Sequence, residues 1–255
     1  MKVTFTGTGA AGGVPLFACQ CAACRRAVRD PVYRRQPCSA LIQSGSTRIL
    51  VDAGLMDLHE RFAPGELDAI VLTHFHPDHV QGLFHLRWGV GLNLDIYCPP
   101  DAQGCADLFK NPGCLRFRFI EKMQAFQIGD LSLVPLALCH SKLTYGYRVS
   151  DSTGASMAYL TDTVGLPDKT IAFLRDDAPV QLLCIDASHP PLSSDSTPNH
   201  NDIPTALKCI EQVGAQRSVL THLGHDADAW IMDTQVQWPA GVSVAMDNQV
   251  ITVYA

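Results

Sequence analysis

The run His74-Phe75-His76-Pro77-Asp78-His79 puts four potential metal ligands into six positions. It follows the apolar stretch Ala69-Ile70-Val71-Leu72 and precedes a helical pattern, so a strand delivers it into a loop. His74 and His76, two apart, can face one cation, and Asp78 and His79 another. Imidazole and carboxylate suit borderline or hard divalent ions such as Zn²⁺, Mn²⁺ and Fe²⁺. A polar loop with surface histidines is the plainer alternative, but ligand types this dense are rare by chance. Three further ligands close apolar runs: His140 after Leu136-Ala137-Leu138-Cys139, Asp162 after Met157-Ala158-Tyr159-Leu160-Thr161, and His222 after Val219-Leu220-Thr221. One such ending is ordinary. Three in order, after the His-x-His-x-Asp-His loop, gather seven side chains if the strand ends meet at one edge of a sandwich.

Two other groups carry chemistry. Cys19-Gln20-Cys21-Ala22-Ala23-Cys24 offers three thiols in six residues, three of the four ligands of a tetrahedral structural Zn²⁺, and His225 in Thr221-His222-Leu223-Gly224-His225 can supply the fourth. Free thiols or a redox pair are the alternative. His200, in Asn199-His200-Asn201-Asp202, belongs to none of these shells. A histidine there can donate a proton to a leaving oxygen as general acid, or simply cap the helix that follows.

The elements that must position these groups are mostly strands, among them Val3–Thr8, Ala40–Gln43, Thr47–Val51, Asp68–Thr73, Asp95–Cys98, Arg116–Ile120, Leu131–Leu138, Gly146–Ser150, Ser156–Leu160, Gln181–Ile185, Ser218–Leu220 and Val250–Val253. Helical patterns fall at His79–Arg87, Lys169–Leu174, Asp202–Val213 and Ala227–Met232. Two sheets packed face to face with helices outside fit this order. The Pro- and Ser-rich stretch Pro190–Asn199 reads as a flexible surface loop. No linker divides the chain, so residues 1–255 are expected to form one domain.

Composition narrows the class. The 255 residues carry 19 basic and 25 acidic side chains, with 17% charged and 47% hydrophobic, which excludes wholesale disorder. A net charge of −6 gives no basic excess for holding long nucleic acid. No apolar run reaches about 18 residues, so no membrane span is expected. The first residues lack the pattern of an export signal, so a cytoplasmic location is expected, where the 10 cysteines favour metal binding over disulfides.

The ordered set His74, His76, Asp78, His79, His140, Asp162 and His222 resembles the metallo-β-lactamase superfamily of binuclear hydrolases. The resemblance implies an α/β fold, a four-layer αββα sandwich. It implies one metal on His74, His76 and His140, a second on Asp78, His79 and His222, and Asp162 bridging them. Asp52, ending Arg48-Ile49-Leu50-Val51, matches the acidic residue that supports the ligands from behind, and could otherwise be a turn residue. Two cations about 3.5–4 Å apart lower the pKa of a shared water toward about 7 and stabilise charge on a phosphoryl or carbonyl oxygen. Asp78 is thereby placed in both the metal and the catalytic set.

The segments Tyr33-Arg34-Arg35-Gln36-Pro37-Cys38-Ser39, Leu86-Arg87-Trp88-Gly89-Val90-Gly91, His140-Ser141-Lys142-Leu143-Thr144 and Ser188-His189-Pro190-Pro191 further resemble the phosphodiesterase family of the bacterial carbon–phosphorus lyase pathway. That resemblance implies hydrolysis of 5-phosphoribosyl 1,2-cyclic phosphate to ribose 1,5-bisphosphate in phosphonate catabolism. It implies Mn²⁺ in the active site, with Zn²⁺ the other choice, plus one structural Zn²⁺, a homodimer, and His200 as the general acid. The substrate's second phosphate needs a cation outside the metal site, for which Lys142, Arg34, Arg35 and also Arg87 are candidates unless they are solvated or stacked surface charges. The competing readings are a related hydrolase of 2′,3′-cyclic nucleotides, RNA ends, a thioester or a lactone, and a non-catalytic metal-binding module.

Overall fold

Ile49 and Val51 point to one side of their strand and Leu50 to the other. This alternation, repeated from strand to strand, sorts the apolar residues into three packing layers. In the computed structural model, which describes residues 1–176, 180–193, 195–196 and 198–255, the strands in chain order are β1 (Lys2–Gly7), β2 (Ser39–Ser44), β3 (Thr47–Val51), β4 (Ala69–Val71), β5 (Leu94–Cys98), β6 (Leu115–Phe119), β7 (Phe126–Ile128), β8 (Leu131–Ala137), β9 (Tyr145–Asp151), β10 (Ser156–Leu160), β11 (Leu182–Asp186), β12 (Arg217–Thr221), β13 (Val242–Val244) and β14 (Val250–Thr252). One sheet runs β14-β1-β2-β3-β4-β5-β6 and the other β13-β12-β11-β10-β9-β8-β7. Val3, Phe5, Ile49 and Val51 of the first sheet meet Leu133, Tyr147, Met157 and Tyr159 of the second in the central layer.

Helices cover both outer faces. On the first sheet lie α2 (Leu58–Arg61), α3 (Pro77–Val80), α4 (Leu83–Leu86) and α5 (Ala106–Lys110), after α1 (Ala22–Arg29) near the amino-terminal end. Leu58, Leu83 and Leu108 there bury Leu50, Ile70 and Leu72. On the second sheet, α6 (Asp168–Asp176) and α7 (Ile203–Val213) set Leu174, Ile203, Ala206 and Cys209 against Leu160, Leu183, Ile185 and Leu220. The expected four-layer αββα sandwich is therefore the fold. The strands β10 and β11 are fully buried, β12 is buried beyond Arg217, and the three lie parallel, so each reads as a largely continuous apolar run rather than an alternating one.

Two expectations shift in detail. The single helix expected at His79–Arg87 is two short ones, α3 and α4. Gly82 separates them by packing against the loop after β3. Its N–H donates to the carbonyl of Ala53 at 2.8 Å, and a Cβ there would meet the carbonyl oxygen of Leu55 at 2.2 Å. The helix α1 and the short strands β7 and β13 were not expected. The loop expected at Pro190–Asn199 includes positions 194 and 197, which lie outside the described residues. Its start is anchored, with the Leu192 N–H donating to Asp202. Among the described residues no helix is long and apolar enough to cross a membrane.

Near the amino-terminal end, α8 (His225–Thr234) packs on α1. Asp228 of α8 accepts from Arg26 and Arg35, each at 3.1 Å. Arg35 is buried and also donates to Thr8 and the Ala245 carbonyl. Removing one partner of a buried ion pair leaves the other charge uncompensated, at a cost of about 3–5 kcal/mol. Asp228→Ala is expected to lower unfolding stability by an amount in that range. A denaturant titration showing a loss below about 1 kcal/mol would mean the network contributes little.

Candidate active site

The ligands stand where strands run out. β4 ends just before Thr73 and releases His74, His76, Asp78 and His79; β8, β10 and β12 end before His140, Asp162 and His222. Two of the turning residues hold left-handed backbone without being glycine: Asp52 at φ 61° and His222 at φ 59°. Asp and His tolerate this conformation better than most residues, and it directs both side chains into the centre.

Two ligand groups form, and Asp162 belongs to both. In the first, His74 Nε2 and His140 Nε2 lie 2.9 and 3.0 Å from His76 Nδ1. Both are within 3.8 Å of Asp162 Oδ2. In the second, His79 Nε2 is 3.2 Å from Asp78 and 3.4 Å from Asp162, while His222 Nε2 is 3.7 Å from Asp78 and 3.3 Å from Asp162. Ligand arms of about 2.0–2.1 Å in tetrahedral array stand roughly 3.3 Å apart, so these spacings suit a divalent cation. His79 Nε2, His222 Nε2 and Asp162 Oδ1 are buried with no hydrogen-bond partner. Buried polar atoms are rarely left so, and three converging on one point fit a cation there. The donors are imidazole and carboxylate in both groups, which the borderline divalent metals accept.

The electrostatics agree. Burial opposes charge on His79, yet Asp162 and Asp52 overcome it and hold its imidazole well above the usual range. His222 is likewise pushed up to about 9 against its burial, by Asp162 and Asp78. Burial would raise Asp78, but the facing imidazoles of His222 and His79 keep its carboxyl well below the carboxylate range. Burial and the neighbouring His79 hold His74 down, and burial also lowers His140. The pocket is a focus of negative charge that favours a cation.

Behind the ligands lies a layer of orienting groups. Asp52 accepts the Thr73 N–H at 2.8 Å and meets His79 Nδ1 at 2.8 Å, leaving Nε2 to face the centre. Thr73 Oγ1 contacts His74 Nδ1 at 3.0 Å. His140 Nδ1 donates to the Asn199 carbonyl at 2.9 Å. His222 Nδ1 meets Ser188 Oγ at 2.8 Å, and Ser188 in turn donates to Asp186 at 2.6 Å.

His200 stands beside both groups, its ring 4.9 Å from those of His140 and His222. Its Nδ1 is 2.8 Å from Asp186 Oδ2, which leaves Nε2 free. Asp186 is buried and also accepts the backbone N–H groups of Thr163 and Ser188. The sequence reading missed Asp186, although it closes the apolar run Leu182-Leu183-Cys184-Ile185 just as Asp52 and Asp162 close theirs.

The thiol group also assembles. Cys19 Sγ and Cys21 Sγ lie 3.4 and 3.6 Å from His225 Nδ1, and Cys24 completes the set. Backbone N–H groups of Leu16, Cys21 and Cys24 point at the three sulfurs, at 3.3–3.4 Å. Such donors favour thiolates. The Cys21 N–H holds the Cys19 thiol below its ordinary value, whereas burial pushes Cys24 up to about 12.

The proposed phosphate cations fare differently. Lys142 stands close enough to His76 to depress its imidazole, with Asp101 3.8 Å from its ammonium. Arg34, Arg35 and Arg87 are corrected. Arg35 is buried in the Asp228 network, and Arg34 donates to the Ala27 carbonyl beside α1. Arg87 is paired with Asp107 and lies over the Trp88 ring at 4.9 Å. Arg35 and Arg87 thus have carboxylate partners, while exposed Arg34 makes one bond through Nε.

Comparison with known proteins gives a match between residues 47–223 and the β-lactamase superfamily domain. An octanoyltransferase of Porphyromonas gingivalis is 30% identical over 89% of this chain and 46% of its own length. A ribonuclease Z of Methanopyrus kandleri is 28% identical over 43% of this chain and 42% of its own. The chain thus spans about half the length of the curated relatives it matches first. The crystal structure of a diphosphatase from the PhnP family superposes with a TM-score of 0.81 and 28% identity, covering 100% of this chain and 98% of that one.

Cys21→Ser is expected to yield protein with less tightly held zinc and a lower unfolding midpoint, because structural metal binding is coupled to folding. Unchanged zinc content by elemental analysis would remove Cys21 from the ligand set.

Proposed function

Because this chain belongs to the β-lactamase superfamily, a family of metal-dependent hydrolases, we propose that it is a binuclear phosphodiesterase that opens 5-phosphoribosyl 1,2-cyclic phosphate to ribose 1,5-bisphosphate. The observation that carries this reading is the Asp186–His200 pair set against two ligand groups that share Asp162. A diester of an alkoxide leaving group needs both cations and a proton source, and this arrangement offers both. The full-length likeness to a PhnP-family diphosphatase supports phosphate chemistry.

In this reading His74, His76, His140 and Asp162 hold one divalent cation and Asp78, His79, His222 and Asp162 the other, with Mn²⁺ preferred and Zn²⁺ acceptable. When bound, such a pair supplies Lewis acidity and a water acidic enough to act near neutral pH. The chain's residues do the rest. A water oxygen bonds to phosphorus, the bond from phosphorus to the sugar 2-oxygen breaks, and that oxygen takes a proton from His200 Nε2. Asp186, 2.8 Å from His200 Nδ1, orients the ring so that Nε2 faces the departing oxygen. Asp52 and Ser188 keep His79 and His222 turned toward the centre. Cys19, Cys21, Cys24 and His225 hold a structural Zn²⁺ that fixes the segment carrying His222. The setting is cytoplasmic phosphonate catabolism, with residues 1–255 acting as one domain in a homodimer.

The ribonuclease Z likeness supports a second reading, hydrolysis at RNA ends or of 2′,3′-cyclic nucleotides. The net charge of −6 disfavours long RNA. His200→Ala is expected to keep its metals and fold while turnover falls by about 10²–10⁴-fold. The assay compares 5-phosphoribosyl 1,2-cyclic phosphate, a 2′,3′-cyclic nucleotide and a thioester on Mn²⁺-loaded protein. Near-normal turnover by the variant removes His200 from the mechanism, and preference for the thioester by the parent protein overturns the reading.

A further inference from the structure

We propose that His189 is the residue that recognises the second phosphate of the substrate, an assignment that rests on the cyclic phosphodiesterase reading. With Arg35 and Arg87 paired to Asp228 and Asp107 and Arg34 turned to the Ala27 carbonyl beside α1, Lys142 and His189 are two basic side chains that border the ligand groups. The chemistry of the leaving group separates them. The sugar 2-oxygen that departs and the exocyclic carbon bearing the second phosphate belong to one pentose. That pentose must lie on the side of His200, which protonates the departing oxygen. Lys142 stands beside His76 rather than His200, with Asp101 3.8 Å from its ammonium.

His189 is next to His200 on the required side. The two rings are 6.2 Å apart and inclined at 71°, continuing the row that begins with His140. The backbone fixes this placement. The His189 N–H donates to the Asn201 carbonyl at 3.2 Å, and the Ile203 N–H donates to the His189 carbonyl at 3.0 Å. His189 is thus clamped to the stretch immediately after His200. Its ring is 34% exposed, so a ligand can reach it, and Asp226 lies 3.7 Å from Nδ1. That carboxylate orients the imidazole through Nδ1 and leaves Nε2 to donate to an anion. Asp226 adjoins His225, so the structural zinc segment also backs this contact.

The test uses Mn²⁺-loaded, zinc-replete protein and two substrates, 5-phosphoribosyl 1,2-cyclic phosphate and ribose 1,2-cyclic phosphate, which lacks the second phosphate. His189→Ala is expected to raise KM for the first by roughly 10- to 100-fold, the share of a charge-assisted hydrogen bond. KM for the second should stay within about twofold and kcat for both should hold, since no transition-state contact is lost. His189→Lys, which restores a cation, should recover most of the lost affinity. If His189→Ala loses zinc, the same comparison is made with His189→Gln. An equal KM change for both substrates, no change for either, or a fall confined to kcat overturns the assignment while leaving the phosphodiesterase reading intact. Failure of the parent protein to hydrolyse either substrate removes that reading and the assignment with it.

Discussion

Asp162 is the point on which the structure turns. Its carboxylate lies within 3.8 Å of five imidazoles, those of His74, His79, His140, His200 and His222, and it is buried. An ionised carboxylate taken out of water is tolerated only where positive charge answers it from several directions. Asp162 therefore constrains the approach of the loop after β4, the turn after β8 and the turn after β12. Both sheets must close to the same edge for that demand to be met, and the three-layer apolar packing is what holds them there.

The same demand explains the backing residues. A cation site of this kind functions only if every imidazole presents the correct nitrogen, and each presentation here is set by a partner on the far side of the ring. Asp52 serves His79, Ser188 serves His222 and the Asn199 carbonyl serves His140. Asp186 has two duties: it orients His200 directly and reaches His222 through Ser188. His200 and His222 are thus referred to a single buried carboxylate. The left-handed backbone at Asp52 and His222 is strain accepted at the two places where a strand must turn a polar side chain inward.

Much of this was legible in the sequence because ligands that end apolar runs are a one-dimensional signal. His140, Asp162 and His222 each follow a hydrophobic strand, and the structure brings them to the His74–His79 loop. The Cys19–Cys24 group and its distant partner His225 could be read for the same reason. Asp186 carried the same mark but lay outside the familiar pattern of ligands. Arg35 misled for the opposite reason: charge is visible in a sequence, but burial against Asp228 is not. The division of His79–Arg87 into two helices depended on Gly82 meeting the Ala53 and Leu55 carbonyls, a contact between residues nearly thirty positions apart. Helix α1 is short and its apolar face is Ala23, Cys24 and Ala27, too small to stand out as a periodic signal.

The thiol–imidazole group has a consequence for the order of events during synthesis. Cys19 and His225 are 206 residues apart in sequence, yet 3.4 Å apart in space. Three sulfurs leave the ribosome early, as a cluster able to engage zinc with one position open. The imidazole that closes the tetrahedron arrives only after most of the second sheet has been made. Full coordination is therefore a late event, and it ties the chain's first polar turn to the segment that brings His222 to the centre. Until His225 is made, the segment that carries His222 lacks the tie to the Cys19–Cys24 turn that the finished structure gives it.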